Sequence, residues 1–329
     1  MGGRAANYAE RILAGERLAA ARAITLVENG SREAWELMTR LGPHLGRAFR
    51  IGVTGPPGAG KSTLVDALAC RARELGETVG VVAVDPSSPF SGGALLGDRV
   101  RMARSLADPE VFVRSMASRG CLGGLARTTQ EAADILDALG KSVIFIETVG
   151  VGQSELAVAG ACDCTLVVMV PEAGGVIQAM KAGLMEVADL FAVNKSDRPG
   201  AEEMRLQLVD ASRYLIDESW RPPVVAVTAV KSEGIEELFD QLLRRRKWLQ
   251  EGDRLEKKRL EQSASRIREL VRAGLEERLW SDPEIERALR RDGARLRAGE
   301  IGLFQAAVES WERIRERLAG AELEESWRR

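Results

Sequence analysis

Histidine and cysteine are scarce in this chain of 329 residues, and their scarcity limits the kinds of site it can hold. The sequence has one histidine, His44, and four cysteines, at positions 70, 121, 162 and 164. A metal-carrying site built from Cys and His needs several such ligands close together. A disulfide framework in a chain of this size needs more cysteines at regular spacings. The cysteine usage therefore indicates a reducing compartment, and we expect a cytoplasmic protein.

Long apolar runs and an excess of charge of one sign are also missing. No apolar run approaches the roughly 18 residues that span a bilayer. The N-terminal segment MGGRAANYAERILAGE has neither an apolar signal core nor the acid-poor, Ser-rich composition of a transit peptide, so we expect an intact chain. Ala6 stands where a myristoylation signal requires Ser or Thr. The net charge of −2 provides no basic field, so we expect no nucleic acid and no membrane among the partners.

Short apolar runs alternate with helical patterns between positions 50 and 230. Seven runs are predicted to be strands, at 50–55, 78–85, 111–115, 142–148, 164–170, 190–195 and 224–229. Most of them are continuously apolar, as is typical of parallel strands that are covered on both faces. The alternation predicts an α/β fold with a doubly wound, mostly parallel sheet and a site at the carboxyl ends of its strands.

The flanking segments are predicted to be helical. An apolar stripe over 8–27 and a second helix capped by Ser31 form a predicted N-terminal helical pair, and Ser281–Glu284 has the pattern of a capping box near the C-terminus. The densest basic run, Arg244–Lys247, is expected to be an exposed helix end. The predicted domains are an N-terminal helical extension (1–48), an α/β domain (49–230) and a C-terminal helical extension (231–329).

Residues 55–63, GPPGAGKST, follow the first predicted strand and match G-x-x-x-x-G-K-[ST]. Glycines allow backbone N–H groups to curl around phosphate oxygens, and the helix that begins at Gly60 directs its free amides at the same oxygens. Lys61 is expected to reach the β- and γ-phosphates, and the Ser62 hydroxyl to bind Mg²⁺. The predicted nucleotide-binding loop consists of Gly55, Pro56, Pro57, Gly58, Ala59, Gly60, Lys61, Ser62 and Thr63.

The stretch NKSD at 194–197 follows the strand LFAV and matches the N-K-x-D motif of GTP-binding proteins. Asp197 can accept hydrogen bonds from N1–H and the exocyclic amine of guanine, whereas adenine has no N1 donor. Sites of this kind reject the wrong partner by about 10⁴-fold. Lys195 is expected to pack its stem on the base, and Asn194 to brace the base motif against the phosphate loop. Backbone contacts to guanine O6 are predicted from Thr228, Ala229 and Val230.

Acidic residues at strand ends supply the remaining candidates. Glu147 and Gly150 form E-x-x-G where many GTPases have D-x-x-G; the carboxylate is expected to hold the Mg²⁺ hydration shell and the Gly150 amide to sense the γ-phosphate. The nearest glutamine is Gln153, so we expect slow intrinsic hydrolysis that a partner accelerates. The predicted catalytic residues are Lys61, Asp98, Glu147, Gly150 and Gln153, and the predicted Mg²⁺ residues are Ser62, Asp85, Asp98 and Glu147.

These motifs and the segments between them resemble the methylmalonyl-CoA mutase–associated GTPases, a family of cobalamin-handling G-protein chaperones. The resemblance covers roughly 50–230 and rests on the phosphate loop and on four segments: DPSSPFSGGALLGDRVRM (85–102), RSMASRGCLGGLARTT (114–129), ETVGVGQSE (147–155) and VPEAGGVIQAMKAGLMEVADLFAVNKSD (170–197). It implies a homodimer held partly by the C-terminal helical arm. It also implies that GTP binding and hydrolysis are coupled to loading adenosylcobalamin into a B12-dependent acyl-CoA mutase and to protecting or reactivating that mutase by releasing damaged cofactor. A cobalamin adenosyltransferase is a further implied partner.

The same resemblance implies three switch segments, at 85–102, 148–155 and 171–181. The third would signal to the mutase and includes Gln178 and Lys181. One departure concerns this third segment, because Gly175 and Val176 stand where the family often has acidic residues. No D-x-H-x-x-G cobalamin motif is present, so no cobalamin site is expected in this chain.

Two alternatives remain open from the sequence. A metallochaperone GTPase would need a Cys/His cluster, whereas Cys162 and Cys164 are expected to share one face of a buried strand and to pack in the core. A P-loop kinase acting on a small molecule or a transport protein would share the phosphate loop. The NKSD motif opposes it, because kinases rarely need guanine selectivity.

Overall fold

The computed structural model describes residues 3–85, 102–117, 128–148, 158–172, 183–213 and 219–319. Several predicted residues lie outside these ranges: Asp98, Gly150, Gln153, Gly175, Val176, Gln178 and Lys181. Asp85 is the last residue of a described strand, but its side chain is outside the described part.

The described strands form one parallel sheet of seven strands, in the order β3-β2-β4-β1-β5-β6-β7. Each of the seven predicted strands is present: β1 (Phe49–Thr54), β2 (Val79–Asp85), β3 (Val111–Ala117), β4 (Val143–Glu147), β5 (Cys164–Met169), β6 (Leu190–Asn194) and β7 (Val224–Val227). Because β1 lies between β4 and β5, the chain passes to opposite sides of β1 as the sheet is built. The carboxyl end of β1 is therefore the switch point at which α/β sheets bind ligands.

Helices cover the sheet and extend from it. They are α1 (Gly3–Leu13), α2 (Arg17–Glu28), α3 (Arg32–Leu41), α4 (Lys61–Glu74), α5 (Ala103–Leu106), α6 (Thr129–Ala138), α7 (Leu184–Val187), α8 (Ala201–Ser212), α9 (Ile235–Gln250), α10 (Arg254–Ser281), α11 (Pro283–Arg297) and α12 (Leu303–Ala319). Among the helices of the described residues, none has the length and apolarity that crossing a membrane requires.

Two apolar clusters account for the nearly continuous apolar character of the central strands. Ile51 and Phe145 belong to the cluster that α4 and α9 cover, whereas Ile144 and Ile146 belong to the cluster that α1, α2, α3 and α6 cover. Successive strand residues point to opposite faces of a sheet, so a sheet that is buried on both faces needs an apolar residue at almost every position.

The structure differs from the prediction in the N-terminal helices. The apolar stripe over 8–27 is divided between α1 and α2, which are separated at 14–16. Gly15 has a φ of +83°, a left-handed conformation that ends α1. The periodicity continues through the break because both helices bury their apolar side chains in the same cluster.

Three local predictions are also corrected. The N-cap of α11 is Asp282, whose carboxylate accepts from the amide of Glu284, while Ser281 is the last residue of α10. Cys162 and Cys164 are buried in different clusters, so they do not share a face. Within the basic run, Arg245 is buried between the rings of Trp220 and Trp248 and pairs with Asp189 at 2.5 Å.

Internal contacts divide the chain into two compact units, Met1–Arg259 and Leu260–Arg329. The sheet and the helices α1–α9 belong to the first unit, and α11 and α12 belong to the second. The three-part division predicted from the sequence stays a prediction.

Candidate nucleotide-binding site

The phosphate loop, residues 55–60, connects β1 to α4 at the switch point of the sheet. Gly55 and Gly60 have φ angles of +139° and +84°, which L side chains rarely adopt. A Cβ atom at Gly55 would lie 2.1 Å from the carbonyl oxygen of Val168, and one at Gly60 would lie 2.5 Å from Nδ2 of Asn194. The loop is therefore packed against β5 and against the end of β6, and the glycines are required for both close approaches.

The first residues of α4 present polar groups to the loop. Gly60 is the N-cap and has no side chain to cap the first turn, so the helix begins with amides directed at the loop. Nζ of Lys61 is buried and donates to the carbonyl oxygens of Gly55 (2.8 Å) and Pro56 (3.0 Å). The lysine thus lies along the inside of the loop, where the motif predicts it.

Ser62 and Glu147 meet at the carboxyl ends of β1 and β4. Both residues are buried, and the Ser62 hydroxyl donates to Oε1 of Glu147 at 2.6 Å. Mg²⁺ prefers oxygen ligands and usually binds one or two carboxylates together with phosphate oxygens and water. A hydroxyl and a carboxylate in contact beside the phosphate loop fit this ion. In the part of the chain that the structure describes, no group of three or more His, Cys, Asp or Glu residues could hold a metal by itself.

Asn194 connects the base motif to the phosphate loop. Its buried side chain donates through Nδ2 to the carbonyl oxygen of Ala59 at 2.8 Å. Its Oδ1 accepts from the amides of Lys195 (2.8 Å) and Ala229 (3.1 Å). One amide group therefore holds together the loop after β1, the loop after β6 and the loop after β7. Lys195 follows with a φ of +57°, which directs the chain into the NKSD turn.

The loop after β7 lies beside Asp197. The carboxylate of Asp197 pairs with Nζ of Lys231 at 3.1 Å, and this hydrogen bond lowers the pKa of Asp197. The hydroxyls of Ser196 and Thr228 are 2.9 Å apart. The amides of Thr228 and Ala229 donate within the protein, to Glu233 and Asn194, and thereby shape the loop. The predicted contact to guanine O6 stays a prediction.

The structure thus brings together the predicted residues that it describes. Lys61, Ser62 and Glu147 lie at the carboxyl ends of β1 and β4, and the NKSD turn and Thr228–Val230 follow β6 and β7. β2, which ends at Asp85, pairs with β4 through Ala83 and Glu147.

Sequence reasoning missed several residues near the site. Lys231 directly follows the predicted trio and is the partner of Asp197. Asp66 on α4 accepts from the amide of Ser105 at 2.9 Å and so ties α5 to the phosphate-loop helix. Thr54 and Thr148 form a buried pair of hydroxyls. The sequence marks these residues only as polar positions within an apolar segment or next to a motif, which does not identify their partners.

A parallel sheet with a phosphate loop at its switch point, a serine paired with a buried carboxylate and an N-K-x-D turn define a P-loop nucleotide-binding protein of the guanine-specific class. The family model described as methylmalonyl Co-A mutase-associated GTPase MeaB matches residues 20–284. The chain belongs to this family, and it is a GTPase. P-loop GTPases generally use Mg²⁺ with their nucleotide.

Individual relatives and a solved structure match most of the chain. The chain is 48% identical to a putative GTPase of Pyrococcus abyssi, over 86% of this chain and 89% of that protein. It is 39% identical to the mitochondrial methylmalonic aciduria type A homolog of Mus musculus, over 70% of this chain and 60% of that protein. Among solved structures, the crystal structure of a LAO/AO transport system kinase has a TM-score of 0.75 and 29% identity, covering 94% of this chain and 97% of that one.

Proposed function

We propose that this GTPase binds GTP with Mg²⁺ at the carboxyl ends of β1, β4 and β6. In this proposal Lys61 binds the β- and γ-phosphates, Ser62 and Glu147 hold Mg²⁺, and Asp197 accepts hydrogen bonds from guanine. The observation that supports these roles most strongly is the position of Asn194, which bonds to Ala59 of the phosphate loop and to Ala229 beside the base motif. That amide fixes the distance between the NKSD turn, which is proposed to bind guanine, and the phosphate loop. A nucleotide that carries both a base and phosphates requires such a fixed distance.

The remaining roles follow from the sequence motifs. Asp85 and Asp98 are proposed to assist at the metal, and Gly150 and Gln153 to contact the γ-phosphate or the attacking water. Bound Mg²⁺ would neutralise charge on the β- and γ-phosphate oxygens. Because catalysis of phosphoryl transfer consists mainly of positioning and charge neutralisation, a site without a glutamine next to Gly150 is expected to hydrolyse GTP slowly until a partner completes it.

The proposed partner is a B12-dependent acyl-CoA mutase of the methylmalonyl-CoA type. Two observations support it: the family is described as mutase-associated, and one relative is named for methylmalonic aciduria type A. In this proposal GTP binding and hydrolysis govern adenosylcobalamin loading and the protection or reactivation of the mutase, with a cobalamin adenosyltransferase as a further partner. Gln178 and Lys181 are proposed to carry the signal to the mutase. The cysteine usage supports a cytoplasmic location.

The partner can be tested by co-elution with a purified B12-dependent mutase. We expect the mutase to retain the protein at least tenfold more tightly in the GTP-analogue state than in the GDP state, because a switch must bind its two states differently. Gln178→Ala and Lys181→Ala are expected to reduce that ratio, and Gln207→Ala on α8 serves as the control. Equal retention in both nucleotide states would contradict the switch.

We further propose that the second unit is the arm of a homodimer. Large apolar side chains are exposed on its helices, among them Leu260, Ile267, Leu303, Phe304 and Trp311. Phe304 is the most exposed of these, at 87%. Exposed apolar patches of this kind mark contact surfaces in soluble proteins, and an interface between identical copies is the commonest arrangement.

Phe304→Asp should therefore shift the protein from dimer to monomer. A charge buried at an interface without a partner is costly, so we expect the dimer dissociation constant to rise by about 100-fold, an estimate based on the cost of losing one interface anchor. Sedimentation equilibrium measures this shift. Arg297→Asp, at an exposed polar position of α11, is the matched control. A wild-type chain that sediments as a monomer at all concentrations would overturn the arm's role.

A further inference from the structure

Two buried hydroxyls face each other beneath the candidate metal site. Thr54 is the last residue of β1 and Thr148 directly follows β4; they are 0% and 1% exposed, respectively. The Thr148 hydroxyl donates to the hydroxyl of Thr54 at 3.0 Å. The Thr148 amide donates to the carbonyl oxygen of Val53 at 3.0 Å and so extends the β1–β4 pairing by one residue.

The pair lies on the face of the sheet opposite α4. Val53 and Phe145 point into the cluster that α4 covers, so by strand alternation Glu147 faces α4 while Thr54 and Thr148 face the other cluster. That other cluster is apolar around the strands and contains Ile144, Ile146 and Val158. A polar pair in such surroundings costs free energy unless its hydrogen bond is made, so its geometry is strongly specified.

Consecutive residues are thereby held from both faces of the sheet. On the α4 face, Glu147 accepts from Ser62 at 2.6 Å. On the opposite face, the Thr148 hydroxyl is held by Thr54, and within the sheet the Thr148 amide is held by the carbonyl oxygen of Val53. The orientation of the Glu147 carboxylate depends in part on the peptide that joins it to Thr148. The amide bond to Val53 and the hydroxyl bond to Thr54 both hold that peptide.

We propose that Thr148 is a positioning residue that acts through Glu147. Its hydroxyl, anchored on Thr54, sets the direction in which the Glu147 carboxylate meets Ser62. It thereby sets how much Mg²⁺ strengthens GTP binding. This inference rests on the metal role proposed for Glu147, and the experiment below separates the two.

The test compares Thr148→Val, Thr148→Ser and Thr54→Val by fluorescence titration with GTP analogue and GDP, each with and without Mg²⁺. We expect Thr148→Val to bind GDP without Mg²⁺ within about twofold of the wild type and to lose about tenfold of the Mg²⁺-dependent gain for the GTP analogue, as estimated from the loss of one buried hydrogen bond that leaves its partner unsatisfied. Thr148→Ser keeps the hydroxyl and should restore most of the gain.

The two partners should not contribute additively. Thr54→Val leaves the Thr148 hydroxyl 3.5 Å from the carbonyl oxygen of Val53, so its effect should be smaller than that of Thr148→Val. The double variant should lose no more than Thr148→Val alone, because neither hydroxyl is then left buried and unpaired. If Thr148→Val fails to fold, Thr54→Val and Thr148→Ser still test the proposal: Thr54→Val should lose part of the Mg²⁺-dependent gain and Thr148→Ser should keep most of it, and a Thr54→Val protein with the wild-type gain would overturn the proposal.

Thr165→Val is the matched control. Thr165 is fully buried on β5, the other neighbour of β1, and its hydroxyl has no hydrogen-bond partner in the structure as described. This variant should leave the Mg²⁺ dependence unchanged. If Glu147→Gln does not reduce the Mg²⁺-dependent gain, the metal role of Glu147 is wrong. If Glu147→Gln reduces it and Thr148→Val does not, the positioning role of Thr148 is wrong.

Discussion

Asp197→Asn is expected to lose most of the affinity for GDP and to acquire affinity for xanthosine diphosphate. A carboxylate offers two acceptors to the N1–H and the amine of guanine, whereas an amide offers one acceptor and one donor. The amide donor would face the guanine amine, and two donors cannot bond to each other. Xanthine has a carbonyl oxygen at that position, so the amide is complementary to it.

The expected size of this change follows from the cost of unpaired polar groups. Sites built on such hydrogen bonds discriminate by about 10⁴-fold, so we expect the GDP affinity to fall at least about 100-fold and the preference for xanthosine over guanosine to reverse. Calorimetry with the two diphosphates measures both values. The fold should tolerate the substitution, because the Asp197 side chain is 39% exposed and its ion pair with Lys231 lies at the surface.

Asp210→Asn is the matched control for this experiment. Asp210 is an exposed aspartate on α8 that pairs with Arg213 at 3.0 Å, much as Asp197 pairs with Lys231. The control should bind GDP as the wild type does. A change of less than about threefold in GDP affinity would be smaller than the contribution of one hydrogen bond. Such a result for Asp197→Asn would show that Asp197 does not bind the guanine base.

The strands and the motif loops could be predicted because their signals are local. A strand buried on both faces must be apolar at nearly every position, so each of the seven runs is visible without knowledge of its neighbours. The phosphate loop and NKSD are short patterns in which ligand chemistry dictates the residue at each position. Predictions of this kind do not require the topology, and the family assignment bears out the GTPase that they indicate.

Contacts between distant segments could not be predicted in the same way. Ser62 and Glu147 are 85 residues apart, and their contact depends on β1 and β4 being neighbours in the sheet. Arg245 looked like part of a solvated basic run, yet it is buried because Asp189 and two tryptophans surround it. A charged residue is predicted to be exposed unless its buried partner is known. Here the partner, Asp189, is distant in the sequence.

Asp137→Ala is expected to give a large loss of stability in the first unit. The Asp137 carboxylate is fully buried and accepts from three amides in the segment that leads into β1, those of Gly46 (2.8 Å), Arg47 (3.2 Å) and Ala48 (3.0 Å). It also accepts from Arg50 at 3.0 Å. Burial alone would lower the pKa of Arg50, but Asp134 and Asp137 outweigh it and raise that pKa, so Arg50 stays charged.

Alanine at this position would leave the amides without their acceptor and the guanidinium with Asp134 alone, at 2.8 Å. Breaking a buried ion pair costs about 3–5 kcal/mol, and we expect the free energy of unfolding of the first unit to fall by about 4 kcal/mol. For a unit of this size the melting temperature should fall by about 10 °C. Differential scanning calorimetry measures this shift.

Asp134→Asn provides the comparison that separates the amide bonds from the ion pair. It removes one of the two negative charges beside Arg50 but keeps the three amide bonds of Asp137, so the loss of unfolding free energy should be less than half as large. A ligand that binds only the folded state raises its stability. GDP with Mg²⁺ should therefore recover part of the melting temperature that Asp137→Ala loses, because β1 leads directly into the phosphate loop. Equal melting temperatures for Asp137→Ala and Asp134→Asn would show that the amide bonds do not hold the entry to β1.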